Sequence, residues 1–296
     1  MRFGNQETPC GGGFITGYPV FNAPDETIDA LHEVGFNLVN FCSNHVYDQG
    51  EAGVLRTHEL FEQYRDQMMV LGSFTSQEER DATHMTECNG MRFAFLSYTY
   101  GCNFNGSDPA NFPNDYMLCG FDTEVMEREI RQAQGLADAV IVVMHWGSEY
   151  VYEPNDQQWD YAQFLADLDV DLVLGTHAHV MQPAKIVTGA NGKKVPVVFG
   201  LSDFVSGWTL ADTHLSGLFS CDFSWGPNGN VEVSNLLWTP TVEWSDGGDV
   251  YVRFLKDMSL AEVNSSTCVD DVPGGDYYQH YVDLIEACNM DISVAL

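Results

Sequence analysis

The chain has 296 residues, of which 45% are hydrophobic, enough for a sizeable core and too many for a disordered polymer. Its 12 Lys and Arg stand against 43 Asp and Glu, a formal net charge of −31, which repels nucleic acid and anionic lipid and argues against both as partners. No apolar run approaches the ~20 residues that cross a bilayer, and Met1-Arg2-Phe3-Gly4-Asn5 lacks the basic-then-apolar pattern of an export signal.

Along the chain, residues 24–34 read as a helix that Gly35 stops, followed by a short strand at 37–42. Val54, Leu55, Leu60, Phe61 and Tyr64 have the spacing of an amphipathic helix over 51–64. A strand at 69–71 comes next, and Cys88-Asn89-Gly90 is a hairpin turn that leads into a strand at 92–98. Asp122 caps a helix over 122–137. The uninterrupted apolar run 139–144 and the stretch 170–174, apolar but for Asp171, read as buried strands, with a helix at 156–168 between them. Beyond Lys185 the texture turns β-rich as far as about residue 254, with hairpin turns at Asn191-Gly192 and Asn228-Gly229. Gly274-Gly275 precedes a last helix at 276–287.

This alternation predicts an α/β fold with a largely parallel central sheet and a second, antiparallel sheet packed on it. The expected organisation is one layered domain over 1–255, its motifs within 5–205 and its antiparallel strands within 206–255, with a C-terminal extension at 256–296 that carries one helix. Eight cysteines are scattered without a C-x-x-C pair, which argues against a zinc ribbon or a thioredoxin-type site. Cys268 and Cys288 flank the last turn and helix and are the best-placed disulfide pair; free thiols are the alternative.

The chemistry lies in the residues just beyond each buried strand. Strand 37–42 runs into Ser43-Asn44-His45, and strand 139–144 into His145-Trp146-Gly147. Strand 170–174 runs into Gly175-Thr176-His177-Ala178-His179, and strand 195–199 into Gly200-Leu201-Ser202-Asp203. Ligands of open α/β sheets bind outside the carboxyl ends of strands, so parallel neighbours would bring these histidines and Asn44 to one edge. Imidazoles with amide and carboxylate oxygens, and no thiolate, suit Mn, Fe or Zn, as one or two ions. Such ions support phosphoryl displacement, and a histidine that binds no metal can serve as general acid. His32, His58, His84, His214 and His280 read as hydrogen-bonded structural residues. No G-x-S-x-G elbow, Walker loop or H-E-x-x-H helix is present, and Gly11-Gly12-Gly13 reads as a simple turn.

Ala23-Pro24, the stretch Gly35-Phe36-Asn37-Leu38-Val39-Asn40 with Ser43-Asn44-His45 and Asp48-Gln49-Gly50, and His145-Trp146-Gly147-Ser148-Glu149-Tyr150 together resemble the CapA family of bacterial capsule synthesis. Gly175-Thr176-His177-Ala178-His179-Val180, Gln182-Pro183 and Ser202-Asp203-Phe204-Val205 continue the resemblance. It implies a calcineurin-like metallophosphoesterase sandwich of two sheets flanked by helices, and a part in making a poly-γ-glutamate type of surface polymer. It also implies Glu7, Asn44, His145, His177 and His179 as metal ligands, with Asn5 and Asp203 as additional candidates and His45 as the catalytic acid. The family's usual first strand, ending in Gly-Asp, is expected to be missing here. Ala178 stands where proline is usual, and Ser202-Asp203 where Gly-Asn is usual.

The expected activity is that of a metal-dependent, phosphoesterase-like hydrolase. The alternatives are a non-catalytic assembly module and a phosphodiesterase unrelated to capsule. Surface polymer, other capsule-synthesis proteins or a small phosphoester are the expected partners, and the cell surface or extracellular space the expected location of the full-length protein.

Overall fold

The computed structural model describes residues 1–103, 116–270, 272 and 274–296. The chain divides into two compact units, Met1–His145 and Trp146–Leu296.

The first unit opens on β1 (Phe3–Asn5). Helix α1 (Glu26–Val34) ends at Gly35, whose φ of 92° lets its N–H reach back to the carbonyls of Leu31 and His32. β2 (Leu38–Asn40) follows, then α2 (Gly50–Phe61), which buries Val54, Thr57 and Phe61. β3 (Met69–Leu71) completes a parallel sheet in the order β1-β2-β3. The short α3 (Gln77–Asp81) leads to β4 (His84–Cys88) and β5 (Met91–Thr99), joined by a turn with Asn89 and Gly90 both at positive φ, as a two-residue hairpin needs. α4 (Thr123–Leu136) starts where the Asp122 carboxylate accepts the N–H groups of Glu124 and Val125. It delivers the chain to β6 (Ala139–His145), buried at every position and parallel to β5.

In the second unit, α5 (Asp156–Asp167) begins with a reciprocal cap between Asn155 and Gln158. β7 (Leu172–Thr176) pairs in parallel with β9 (Lys194–Leu201), and β8 (Met181–Thr188) joins β9 as a hairpin through the Asn191-Gly192 turn. β10 (Leu215–Trp225), β11 (Val231–Ser245) and β12 (Val250–Phe254) form an antiparallel sheet. Its buried face centres on Trp238, Leu215 and Val242, and Val263 of α6 (Leu260–Val263) with Tyr281 and Ile285 of α7 (Tyr277–Ala287) complete that core. β13 (Ser293–Val294) adds a parallel edge to β11.

The mixed α/β architecture agrees with the sequence. Three details differ. The sequence has no strand before residue 37, yet Phe3–Asn5 pairs with Leu38–Asn40; the strand ends in Gly4-Asn5 and is too short for a periodicity signal. Strands 37–42 and 139–144 are not neighbours in one sheet, because β2 takes β1 and β3 as partners and β6 takes β5. All eight cysteines are free thiols, so Cys268 and Cys288 form no disulfide: Cys268 Sγ lies 3.2 Å from Ser266 Oγ, and burial raises the Cys288 thiol to about 12.

Candidate metal centre

In the first unit the candidate residues stand at the carboxyl ends of β1, β2 and β6. Asn40, the last residue of β2, is fully buried and donates to Asn5 Oδ1 at 2.7 Å, while its own Oδ1 accepts from Ser97 of β5 at 2.5 Å. Asn5 Nδ2 in turn lies 3.4 Å from Glu7 Oε2. Ser43 donates to the Glu7 carbonyl at 2.7 Å and accepts the His45 N–H at 3.1 Å, which ties the two loops together. The Glu7 carboxylate is thus placed by a side-chain network that starts inside the sheet.

Asn44 and His145 come from different sheets and meet at their tips. Asn44 Oδ1 is 2.8 Å from His145 Nε2, and the two residues are 2% and 0% exposed. At that distance the two atoms are hydrogen-bonded, with His145 Nε2–H donating to the Asn44 amide oxygen. The Asn103 N–H holds the Asn44 carbonyl at 2.7 Å, and the Tyr100 ring lies parallel to His145, with ring centres 6.1 Å apart.

His45 points to a different task. Its Nδ1–H donates to Asp48 Oδ2 at 2.7 Å, and the same oxygen accepts the Phe21 N–H at 2.8 Å. Both side chains are nearly buried, and Phe21 packs edge-on against the imidazole at 4.7 Å. With Nδ1 fixed on a carboxylate, Nε2, 3.4 Å from the Asn103 side-chain nitrogen, is the nitrogen placed to exchange a proton with a reacting group.

In the second unit, the loop after β7 carries His177 and His179 at φ of 100° and 57°, a region β-carbon-bearing residues seldom enter. Glycine does not supply these turns, so the side chains are what the loop is built to present. β7 reaches this loop along β9 at a distance only glycine permits: a Cβ on Gly175 would lie 2.0 Å from the Phe199 carbonyl oxygen. That oxygen accepts the Trp146 indole N–H at 2.9 Å.

His179 Nδ1–H donates to both oxygens of Asp203, at 2.9 and 3.1 Å, and Ser202 Oγ donates to the His179 carbonyl at 2.9 Å. An imidazole held at Nδ1 by a carboxylate has its tautomer and ring orientation set, the usual arrangement behind a metal-bound histidine. Tyr150 and Trp208 pack on the same ring, with ring centres 5.8 and 5.9 Å away. The His177 ring lies 6.2 Å from that of His179.

The donor chemistry fits a divalent transition metal: carboxylate, amide oxygen and imidazoles, with no cysteine thiolate among the candidates. Asp203 accompanies His179 as its hydrogen-bonded partner, and Asn5 stands behind Glu7 in the same way. Asp48, Asn40, Ser97, Asn103, Tyr150 and Trp208 have no role in the sequence reading. Asn40, Asp48 and Tyr150 stand within the stretches that resemble the family, Asp48 three residues after His45.

The family model of bacterial capsule synthesis protein PGA_cap matches residues 1–208, a stretch that includes every candidate ligand from Asn5 to Asp203. The chain belongs to this family. The PGA biosynthesis protein CapA of Bacillus subtilis (strain 168) is 28% identical over 213 residues, 71% of this chain and 53% of that protein. The capsule biosynthesis protein CapA of Bacillus anthracis is 27% identical over 194 residues, 64% of this chain and 45% of that one. This CapA-family chain therefore spans about half the length of the curated relatives it matches. Among solved structures, a putative 5'-nucleotidase from Staphylococcus aureus in complex with alpha-ketoglutarate has a TM-score of 0.48 at 14% identity, over 88% of this chain and 44% of the other. A hypothetical protein from Thermus thermophilus has a TM-score of 0.45 at 15% identity, over 77% of this chain and 81% of the other.

Proposed function

We propose that this CapA-family chain is a metal-dependent, phosphoesterase-type hydrolase that acts at the cell surface in making or processing a capsule polymer of the PGA kind. The candidate ligands to divalent ions of Mn, Fe or Zn are Glu7, Asn44 and His145 in the first unit and His177 and His179 in the second. A single observation carries the reading: His45, braced by Asp48 at 2.7 Å, directly follows Asn44, whose Oδ1 is 2.8 Å from His145 Nε2. Consecutive residues of one loop thus supply the proton donor and one of the two ligand-type atoms, the other coming from the end of β6.

A bound ion supplies Lewis-acid polarisation and activates water for attack. The protein's own part is to bind, orient and protonate. Asn5 and Ser43 hold the segment that carries Glu7, and Asp203 aims His179. His45 Nε2–H gives its proton to the leaving oxygen as the ester bond breaks. Asp48 stabilises the imidazolium before transfer and keeps the ring in place after it. A substrate with negative charge meets a chain of net charge −31, so productive binding requires the cation.

The test is metal content and turnover measured on the same preparations. The wild-type protein should bind Mn or Zn and hydrolyse a chromogenic phosphodiester. Replacing His177 and His179 together by Ala should abolish metal uptake; full occupancy in that variant sinks the ligand assignment. His45→Ala should keep its metal and lose about two to four orders of magnitude in rate. Metal uptake with no turnover of phosphoesters or γ-glutamyl substrates by the wild type would favour an assembly role instead.

A further inference from the structure

The second unit carries a cleft of about 370 Å³, within the size range of small-molecule sites, that the metal-centre proposal leaves unused. Tyr150, Tyr152, Val180, Asp212, Asp270 and His280 are among the residues lining it. Its polar groups are set before any ligand arrives. Asp212 accepts from the Tyr152 hydroxyl through one oxygen and from His280 Nε2 through the other. Asp270 Oδ2 accepts from the Thr209 hydroxyl at 2.8 Å, and the Asp270 carbonyl accepts from Tyr277 at 2.9 Å. Among the described residues, the lining includes no Lys or Arg.

Those features select by charge. Carboxylates accept hydrogen bonds, tyrosine faces attract cations, and an anion would be repelled from the cleft as from the chain as a whole. Asp212 is engaged by a hydroxyl and an imidazole, whereas among the described residues the side-chain hydrogen bond to Asp270 comes from a neutral hydroxyl, so its charge is the one a cationic ligand would neutralise. A neutral polyol could use the same acceptors but would gain nothing from that charge.

We propose that this cleft binds a primary ammonium group on a short apolar stem, with the charged head on Asp270 and the stem against the rings of Tyr150 and Tyr152. The position of Tyr150 gives the site a further meaning. It sits at φ 61°, its N–H donates to the Ala178 carbonyl at 2.8 Å, and its ring stacks on His179 at 5.8 Å. The occupant of the cleft is therefore one aromatic ring away from His179. Binding of the ammonium group stands independently of the metal centre; its role as a subsite for an amine-bearing part of the substrate rests on the function proposed above.

Calorimetric titration of the whole chain at low salt with cadaverine, pentanediol and glutarate tests this, since the three share a five-carbon stem and differ in charge. Cadaverine should bind, and the diol and the diacid should not. Asp270→Asn should weaken cadaverine about tenfold or more with an unchanged circular dichroism spectrum, and Tyr152→Ala should weaken it less. His177→Ala, which leaves the His179 ring against Tyr150, should bind cadaverine as the wild type does, so failure of the metal assignment and failure of this one are told apart. Equal binding of pentanediol, undiminished binding in Asp270→Asn, or loss of binding in His177→Ala would overturn the proposal.

Discussion

In the first unit, Glu7 and Asn44 sit just beyond regular strand ends, His145 ends β6, and side-chain hydrogen bonds spanning two sheets, from Ser97 through Asn40 to Asn5, support them. In the second unit, His177, His179 and Ser202 all lie at positive φ, and His179 draws its orientation from Asp203. One cluster stores its precision in buried polar side chains, the other in backbone geometry. The two should therefore break differently: the first when a polar partner is lost, the second when atoms are added where the backbone has no room.

The sharpest break is expected at Gly175. Its Cβ position lies 2.0 Å from a backbone oxygen and 2.5 Å from the Trp146 indole nitrogen, so no rotamer change relieves the clash. Gly175→Ala should cost about 3 kcal/mol or more, because β7 must move away from β9. Urea denaturation measures it, and a loss under about 1 kcal/mol would mean that the strand yields easily.

Next comes Asn40→Ala. It removes a fully buried amide that donates to Asn5 and accepts from Ser97, leaving both without that partner. The expected cost is about 2 kcal/mol, mostly the penalty of stranding buried polar groups. The effect should extend to metal uptake, since Asn5 lies between Asn40 and Glu7. Loss of stability with full metal affinity would show that the network supports the sheet and not the site.

Legibility in the sequence divides along the same line. The helices at 24–34, 122–137 and 276–287 and the hairpin turns were visible because caps, Gly35 and Asn-Gly pairs act over a few residues. The histidines stood out because the apolar runs 139–144 and 172–174 end abruptly just before them. The hidden features depend on distant pairing. Three-residue strands such as β1 have no period to read, and the placement of β2 and β6 in separate sheets is decided by partners, not by local pattern. Ser97, 57 residues from Asn40, looks like any strand serine until its hydroxyl is seen on that amide. Asp203 was legible as an oxygen donor but not as the group that fixes His179.

The finest distinction concerns the two carboxylate–histidine pairs. Asp48 holds His45 Nδ1 at 2.7 Å and Asp203 holds His179 Nδ1 at 2.9 Å, so by hydrogen bonding alone the pairs look alike. If His179 binds metal and His45 moves a proton, equivalent substitutions must separate. Asp203→Asn keeps the shape but removes the charge behind a ligand, and metal affinity should fall about 10- to 100-fold with stability nearly unchanged. Asp48→Asn should leave metal affinity within about twofold and lower the rate of phosphodiester hydrolysis instead, because the imidazolium loses its stabilising carboxylate. Competition with a chelator of known affinity and steady-state kinetics on both variants read the two effects separately. If Asp48→Asn released the metal and Asp203→Asn did not, the two histidines would have to exchange roles.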